Sequence, residues 1–397
     1  MTGPEVEIVR PISGTAVRPA YQVREVRMDQ DLRTIMHSWK ECNASFQDHT
    51  IVCDPEWLQE RSKLEKADIR AYLFERDSRI LGAVPLEFYH HRLDCQLGDR
   101  TVMKLPLNMV RLLGNTPNIP QDESAHSLFF ESLLSLEFDA IYMTCIKADS
   151  FFWWYLQNSP FIKKHFYFYS VRGVSPHPLI RMAGSYKDYL QKFSSKSRNN
   201  LSRQLRKLRE KGDVELVKVT RESDVNSFVE AAVDISRKTY QFHVLGIGIR
   251  HPDRLKEWLK WAAQQGWLRS YLLKCGGSPC AFQIGYQYNR TFLGVEVGFN
   301  PAWSKLGVGM IQQLLALEDL FKDNTPDLCD FGSYADYKQF LANDSHSDAL
   351  VWLFRRRPYP YLALNTYRLF SETSKTVGAI LSNLRFKSKM KRLLRKQ

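Results

Sequence analysis

Residues 291–340 read TFLGVEVGFNPAWSKLGVGMIQQLLALEDLFKDNTPDLCDFGSYADYKQF. Alternating apolar residues over Phe292–Phe299 predict a strand. A short loop ends in Lys305-Leu306-Gly307-Val308-Gly309, and Val308 onward has the 3.6-residue period of a helix. Leu328–Gly332 predicts a second strand, and the stretch closes on Tyr337-Lys338. A glycine loop between strand and helix places unpaired N–H groups and a partial positive charge where a phosphate can sit. The loop lacks the GxxxxGK[ST] and GxGxxG spacings, so a tight turn remains the plainer alternative. Gly294 and Gly298 break the strand as a ligand lying against it would require.

Working outward, 397 residues suffice for two domains, and 44% apolar with 25% charged residues is a globular composition. The chain contains no run of about 18 apolar residues, the length a membrane helix needs. Its start, MTGPEVEIVR, does not read as a secretory signal. The seven cysteines form no CxxC pair and read as small buried apolar residues in a reducing, cytoplasmic setting. Histidines are scattered, with only His90 and His91 adjacent, so no metal is expected.

The net charge of +13 is local. Lys192–Lys211 carries +7 and Arg385–Lys396 carries +7, which leaves the remainder at −1. The first patch coincides with a predicted helix, with Leu201, Leu205 and Leu208 on one face and a stop at Gly212. The second interleaves Phe386, Met390, Leu393 and Leu394 with bases. It reads either as a helix for peripheral association with an anionic membrane or as a solubilising tail.

Further strands are predicted at 21–27, 71–86 with a bend at Asp77-Ser78, 140–146, several within 160–185, and 214–219. Helices are predicted at 29–43, from Asp54-Pro55, at 124–135, 222–239 and from Pro252. Ala71-Tyr-Leu-Phe and Ser270-Tyr-Leu-Leu share a register 199 residues apart. Asp77-Ser78 then corresponds to Gly276-Gly277, and Gly82 to Ala281. This predicts a duplicated α/β unit whose second copy alone has the glycine loop, hence one cofactor site per chain.

The Ser195-Lys-Ser-Arg-Asn-Asn200 stretch, the Gly276–Ala281 hairpin, the Lys305–Gly309 loop and Asp330-Phe-Gly…Tyr337-Lys338 together resemble GNAT acyltransferases. The likeness covers about 180–355 and is nearest the two-domain subfamily associated with cellulose and exopolysaccharide biosynthesis. The tandem layout also resembles Fem-type aminoacyltransferases. The loop departs from the usual [Q/R]xxGx[G/A] pattern ahead of Gly307.

The resemblance implies an α/β (α+β) fold of two tandem GNAT-like domains, each a mixed, mostly antiparallel sheet flanked by helices. The expected divisions are a lead at 1–20, a degenerate domain at 21–180, an acyltransferase domain at 181–360, and a basic helical tail at 361–397. It implies acetyl-CoA or another acyl-CoA as co-substrate, with its pyrophosphate on Lys305, Leu306 and the amides of Gly307, Val308 and Gly309. Pantetheine would run along the strand at Val297.

Acyl transfer needs a base, a stabilised oxyanion and a proton for the leaving thiolate. Glu296 is the candidate base, Asp330 would orient substrate and Tyr337 would protonate the thiolate. Each also has a plainer reading: a solvated strand residue, a strand-end hydrogen bond, and ordinary packing. Lys196, Arg198, Asn199, Tyr240 and Lys338 are the candidate contacts to a small or sugar-linked acceptor. Two alternatives stay open: a Fem-type transferase using charged tRNA, which the basic patches would suit, and a non-catalytic module docked on a membrane or RNA. Nucleic acid is not the expected partner.

Overall fold

The computed structural model describes residues 21–46, 49–98, 100–239, 242–243, 248–332 and 335–383, with the side chains of 172 and 375–383 not described. The lead 1–20, Tyr240 and the basic segment 385–397 lie outside the described residues. No helix among the described residues is long and apolar enough to cross a membrane.

The first unit begins with β1 (Gln22–Arg27), α1 (Arg33–Ala44), α2 (Pro55–Glu65), β2 (Asp68–Arg76), β3 (Arg79–Leu97) and β4 (Arg100–Leu112). It continues with α3 (Glu123–Leu134), β5 (Ala140–Lys147), α4 (Phe151–Asn158) and α5 (Pro160–His165). α2 starts as its sequence predicts, with the Asp54 carboxylate accepting from the Glu56 and Trp57 amides at 2.9 and 3.4 Å. α5 departs from the expected strand because the Ser159 hydroxyl caps it and Pro160 occupies its first position. β6 (Phe166–Arg181) then carries the chain into the second unit.

The second unit holds α6 (Tyr186–Leu190), α7 (Ser195–Arg209), β7 (Val214–Val219), α8 (Glu222–Arg237) and α9 (Pro252–Gln264). β8 (Ser270–Cys275), β9 (Ser278–Tyr288), β10 (Thr291–Phe299), α10 (Val308–Asp323), β11 (Leu328–Asp330) and α11 (Asp336–Leu341) follow. Its strands lie in the order β7-β8-β9-β10-β11-β6. All neighbours are antiparallel except β10 and β11.

β12 (Asp344–Arg355) returns the chain to the first unit, and α12 (Pro358–Asn383) follows it. The expected division at 360 therefore moves. Asp348–Phe354 pairs with β5, so this segment belongs to the first unit, and the second unit spans 175–347. The first part of the expected tail is likewise built in: Ala363 and Leu364 are buried against Leu93, Trp352 and Phe354.

With β12 in place the first unit runs β1-β2-β3-β4-β5-β12, antiparallel except for β4 and β5. The two units thus share one topology. The agreement extends to local detail. The β2–β3 turn has left-handed Asp77 and Ser78 (φ 50° and 62°), and the β8–β9 turn has left-handed Gly276 and Gly277 (54° and 76°). Phe74 pairs with Gly82 and Leu273 with Ala281, and a register shift follows at each of those pairs.

The second unit's core fixes α10. Leu314, Leu317 and Leu320 pack with Tyr271, Phe292 and Phe331, and Leu208 of α7 packs with Val308 and Ile311. Each such side chain contributes about 1.5–3 kcal/mol of burial. Buried Arg269 adds ion pairs to Asp319 and Asp323, both at 2.7 Å, and the Tyr271 hydroxyl donates to Asp319 at 2.8 Å. Burial pushes the Asp319 carboxyl up, but the Arg269 and Tyr271 hydrogen bonds outweigh it and hold the group below the usual carboxylate range.

Candidate functional site

The glycine loop follows a strand that is half unpaired. β10 pairs with β9 along its whole length, from Thr291↔Tyr288 to Phe299↔Ala281. On its other side β11 pairs only with Thr291, Phe292 and Leu293. β11 ends at Asp330, and the chain reaches left-handed Gly332 two residues later. Among the described residues no strand covers the outer edge of β10 from Gly294 to Phe299. A register shift between Gly294 and Glu296 makes Val295 a bulge residue, which bends the strand just where its partner ends. Val295, Val297 and Phe299 are 58%, 41% and 40% exposed, so the segment that lacks a strand partner among the described residues also presents apolar side chains.

The glycines of β10 have a different cause from the one expected of them. A Cβ on Gly294 would lie 2.6 Å from the Phe331 ring, and one on Gly298 would lie 2.4 Å from Phe282. Buried rings, rather than a ligand, account for both.

The edge leads into the loop. Asn300 accepts from the Ala302 amide at 3.1 Å and starts a 3-10 turn, Pro301–Leu306. Gly307 closes that turn in the left-handed region (φ 67°, ψ 31°). Its N–H donates to the Ser304 carbonyl at 3.1 Å, and its carbonyl accepts from Ile311 at 3.0 Å, the first bond of α10. The amides left ahead of that bond are those of Val308, Gly309 and Met310, and no side chain caps them. The expected set of 307–309 therefore shifts by one: the Gly307 amide is spent and Met310 joins. Counting from the N-cap rather than from the glycines would have found it.

Val308 is buried, Leu306 packs partly into the core beneath the loop, and Lys305 is exposed. Gln204 of α7 abuts Gly307, and the Phe299 ring abuts Gly309. No sequence signal marks either neighbour, since both contacts depend on packing.

Glu296 lies on the open segment two residues past Gly294. Among the described residues its carboxylate has no hydrogen-bond or ion-pair partner, and burial pushes its pKa up. A half-buried carboxylate with a raised pKa is a stronger base than a solvated one. Asp330 pairs with Leu293, beside the point where the strands part. Its carboxylate accepts from His177 Nε2 at 2.9 Å and from the Gly332 amide at 2.6 Å. Burial, the largest single influence, would raise this group, but His177, the Gly332 amide and His346 together outweigh it and the carboxyl stays below its usual range. His177 in turn stacks on His346 at 4.6 Å. Nothing in the sequence pairs His177 with Asp330, 153 residues away.

Tyr337 sits on α11, half-buried against the core around Phe331 and Leu341, and burial pushes its hydroxyl pKa up. The Lys338 ammonium donates to the Phe331 carbonyl. The Arg198 guanidinium folds back onto the Phe193 carbonyl and Ser195 Oγ. Lys196 and Asn199 are exposed on the first turn of α7.

The corresponding place in the first unit is filled. The N-cap of α3 is Asp122, whose Oδ1 accepts from the Ala125 amide at 2.9 Å and Ser124 Oγ at 2.6 Å. The Tyr21 hydroxyl donates to Oδ2 at 2.8 Å. The loop between β4 and α3 lies over the strands. Asn118 bridges Ala83, and the Lys147 amide donates to Thr116 Oγ1 at 3.0 Å. A Cβ on Gly82 would meet the Asn118 carbonyl at 2.4 Å, whereas the equivalent residue of the second unit is Ala281. The first unit thus supplies its helix N-terminus with its own carboxylate.

Residues 195–339 match the family described as an acetyltransferase (GNAT) domain. A search of curated proteins finds no match. Among solved structures, FemX superposes with a TM-score of 0.57 at 10% identity, over 83% of this chain and 98% of that one. A tandem GNAT protein from the clavulanic acid biosynthesis pathway gives 0.47 at 10% identity, over 85% and 99%. L-PGS from Bacillus licheniformis gives 0.46 at 11% identity, over 86% and 97%. The sheet with one parallel pair, the family match and the FemX likeness agree: the second unit has the GNAT acyltransferase fold.

Proposed function

We propose that the second unit transfers an acyl group, acetyl or another, from coenzyme A to an amine or hydroxyl of a small or sugar-linked acceptor. Polysaccharide or cell-envelope biosynthesis is the setting the sequence resemblance favours. One observation carries this reading: the uncovered edge of β10 leads, through one 3-10 turn, to an uncapped helix N-terminus. A pantetheine arm, with its two amides, can add to an open strand edge as a short strand does. The pyrophosphate then falls on the Val308, Gly309 and Met310 amides. Val297 and Phe299 line the arm, and exposed Lys305 stands beside the anion.

In the reaction, Glu296 accepts the acceptor's proton, directly or through a water. The acceptor nitrogen or oxygen forms its bond to the thioester carbon. A free backbone N–H of the 294–299 edge holds the oxyanion. The C–S bond then breaks, and Tyr337 supplies the proton to the thiolate. Its raised pKa keeps it protonated until that step. Asp330 acts through His177 and Gly332 as a positioning residue. Lys338 and Arg198 are held on backbone carbonyls, so acceptor contacts fall first to Lys196 and Asn199. Tyr240 is proposed on its sequence position alone.

Calorimetric titration of the full chain with acetyl-CoA tests the reading. Met310→Glu places a carboxylate in the first helical turn, where it favours the helix and opposes the pyrophosphate. Wild type should bind, and the variant should bind at least about tenfold more weakly. Absence of binding by wild type at millimolar acyl-CoA, or equal binding by both, would refute the assignment. The FemX likeness and basic α7 favour one second reading, a transferase using an aminoacyl-tRNA. Turnover with charged tRNA while acyl-CoA is inert would select it.

A further inference from the structure

The first unit carries a cavity of about 470 Å³ that neither the open edge nor the glycine loop uses. Lys163, Arg356 and Arg368 line it, with Phe166, Tyr167 and Phe168 as its aromatic wall. No carboxylate lines it. Elsewhere in the molecule Arg24, Arg33, Arg61, Arg70, Arg111 and Arg290 each hold an acid. Among the described residues none of the three cavity cations does.

Aromatic and backbone contacts position them instead. The Arg356 guanidinium lies 4.4 Å over the Tyr167 ring, and its Nε donates to the Phe166 carbonyl at 3.3 Å. Arg368 lies 4.8 Å over Tyr169, and Lys163 donates to the Asn158 carbonyl at 3.1 Å. These contacts fix the side chains without neutralising their charge. Neighbouring Arg357 is spent on Glu137 at 2.9 Å, and Glu372 stands one turn beyond Arg368 on α12. The His165 pKa is pushed down, first by burial and then by the charges of Lys164 and Arg355, which marks the local field as positive.

Three fixed, uncompensated cations around one cavity suit a phosphate. The rim suggests what carries that phosphate. Tyr361 packs on Tyr167 at 5.1 Å, and Leu362 and Leu369, one heptad apart on α12, are 61% and 64% exposed. α12 leads on toward the sequence of Arg385–Lys396, with its seven bases and no acid. Apolar side chains beside an anion cavity on a helix followed by a basic segment match the layers of an anionic bilayer surface. We infer that this cavity binds the phosphate of an anionic phospholipid headgroup, with Tyr361, Leu362 and Leu369 entering the interfacial layer beside it. The inference is independent of the acyl-CoA reading.

The test is cosedimentation of the full chain with phosphatidylcholine vesicles, with and without phosphatidylglycerol. Binding should require phosphatidylglycerol. Each cation removed should weaken partitioning about fivefold, so Arg356→Ala/Arg368→Ala should lose about 25-fold. Arg356 also supports the fold, so Lys163→Glu, an exposed position, gives a second readout and should weaken binding at least as much as one such step. Arg254→Ala/Lys260→Ala on α9 removes the same charge elsewhere and should leave partitioning near wild type. Deleting 385–397 should weaken wild type and the cavity variants alike, with their ratio kept. Equal losses in the α9 variant, or disappearance of that ratio on deletion, would overturn the cavity assignment. So would absence of vesicle binding. Glycerol phosphate bound in the cavity with vesicle binding insensitive to the cavity variants would also overturn it, in favour of a soluble phosphate ester.

Discussion

Gly307 is the hinge between the 3-10 turn and α10, and replacing it with alanine isolates what that hinge does. Its φ of 67° and ψ of 31° place it in the left-handed region. A Cβ there costs about 1–2 kcal/mol. Alanine recovers about 0.5 kcal/mol by restricting the unfolded chain, so the net loss is about 1 kcal/mol. The added Cβ also lies 2.7 Å from Gln204 Oε1, but that is the far end of a flexible side chain and can turn away. In a unit of this size the loss lowers Tm by about 2–4 °C. Differential scanning calorimetry reads it, and acetyl-CoA titration should show weaker binding in step, because the Val308–Met310 amides are re-aimed. Gly307→Asn should lose less than Gly307→Ala, since asparagine tolerates left-handed backbone. Adding Gln204→Ala should restore little. Full recovery in that double variant would show that the Gln204 contact, not the backbone, sets the requirement. A Gly307→Ala protein as stable as wild type would refute the argument outright.

Glu296→Gln should slow turnover about 10²–10⁴-fold while raising stability at neutral pH. Burial raises the folded pKa above 4.5, so the carboxyl's favourable contribution is present below 4.5 and lost as pH rises through the folded value. The stability gap between variant and wild type should therefore widen from pH 4 to pH 7, as urea unfolding at each pH will show. Asp122→Ala should cost about 1 kcal/mol as a lost N-cap and leave acyl-CoA affinity unchanged, checked by thermal melts and calorimetry. Arg269→Ala removes the buried guanidinium that Asp319 and Asp323 share, leaving them Lys218, and should cost about 2 kcal/mol in urea unfolding.

Much of the frame was legible because it is written in local signals. Asp54-Pro55 announces α2, Asp77-Ser78 and Gly276-Gly277 announce matching turns, and Gly307 announces the start of α10. The duplication showed in four residues and proved to be a shared strand order. What stayed hidden depends on distant partners. Gly294 and Gly298 read as ligand contacts because Phe331 and Phe282, which explain them, lie far off in sequence or on another strand. The three-residue length of β11 opens the edge of β10, yet the local pattern predicted a longer strand. Asp330 read as a substrate-orienting group or a strand-end hydrogen bond and Lys338 as an acceptor contact, but the groups that engage them, His177, Gly332 and the Phe331 carbonyl, were not named by any local pattern. The sequence of β12 gave no sign that most of it pairs with β5.

That last pairing bears on how the chain is made. Lys147 pairs with Asp348, about 200 residues later, so the first unit cannot finish its sheet until the second has been synthesised. At about 5–20 residues per second, β5 waits roughly 10–40 s for its partner. The second unit, contiguous from 175 to 347, is complete before the first. The order of completion therefore runs against the order of synthesis. During that interval β5 presents an unpaired edge, the kind of edge at which chains pair wrongly.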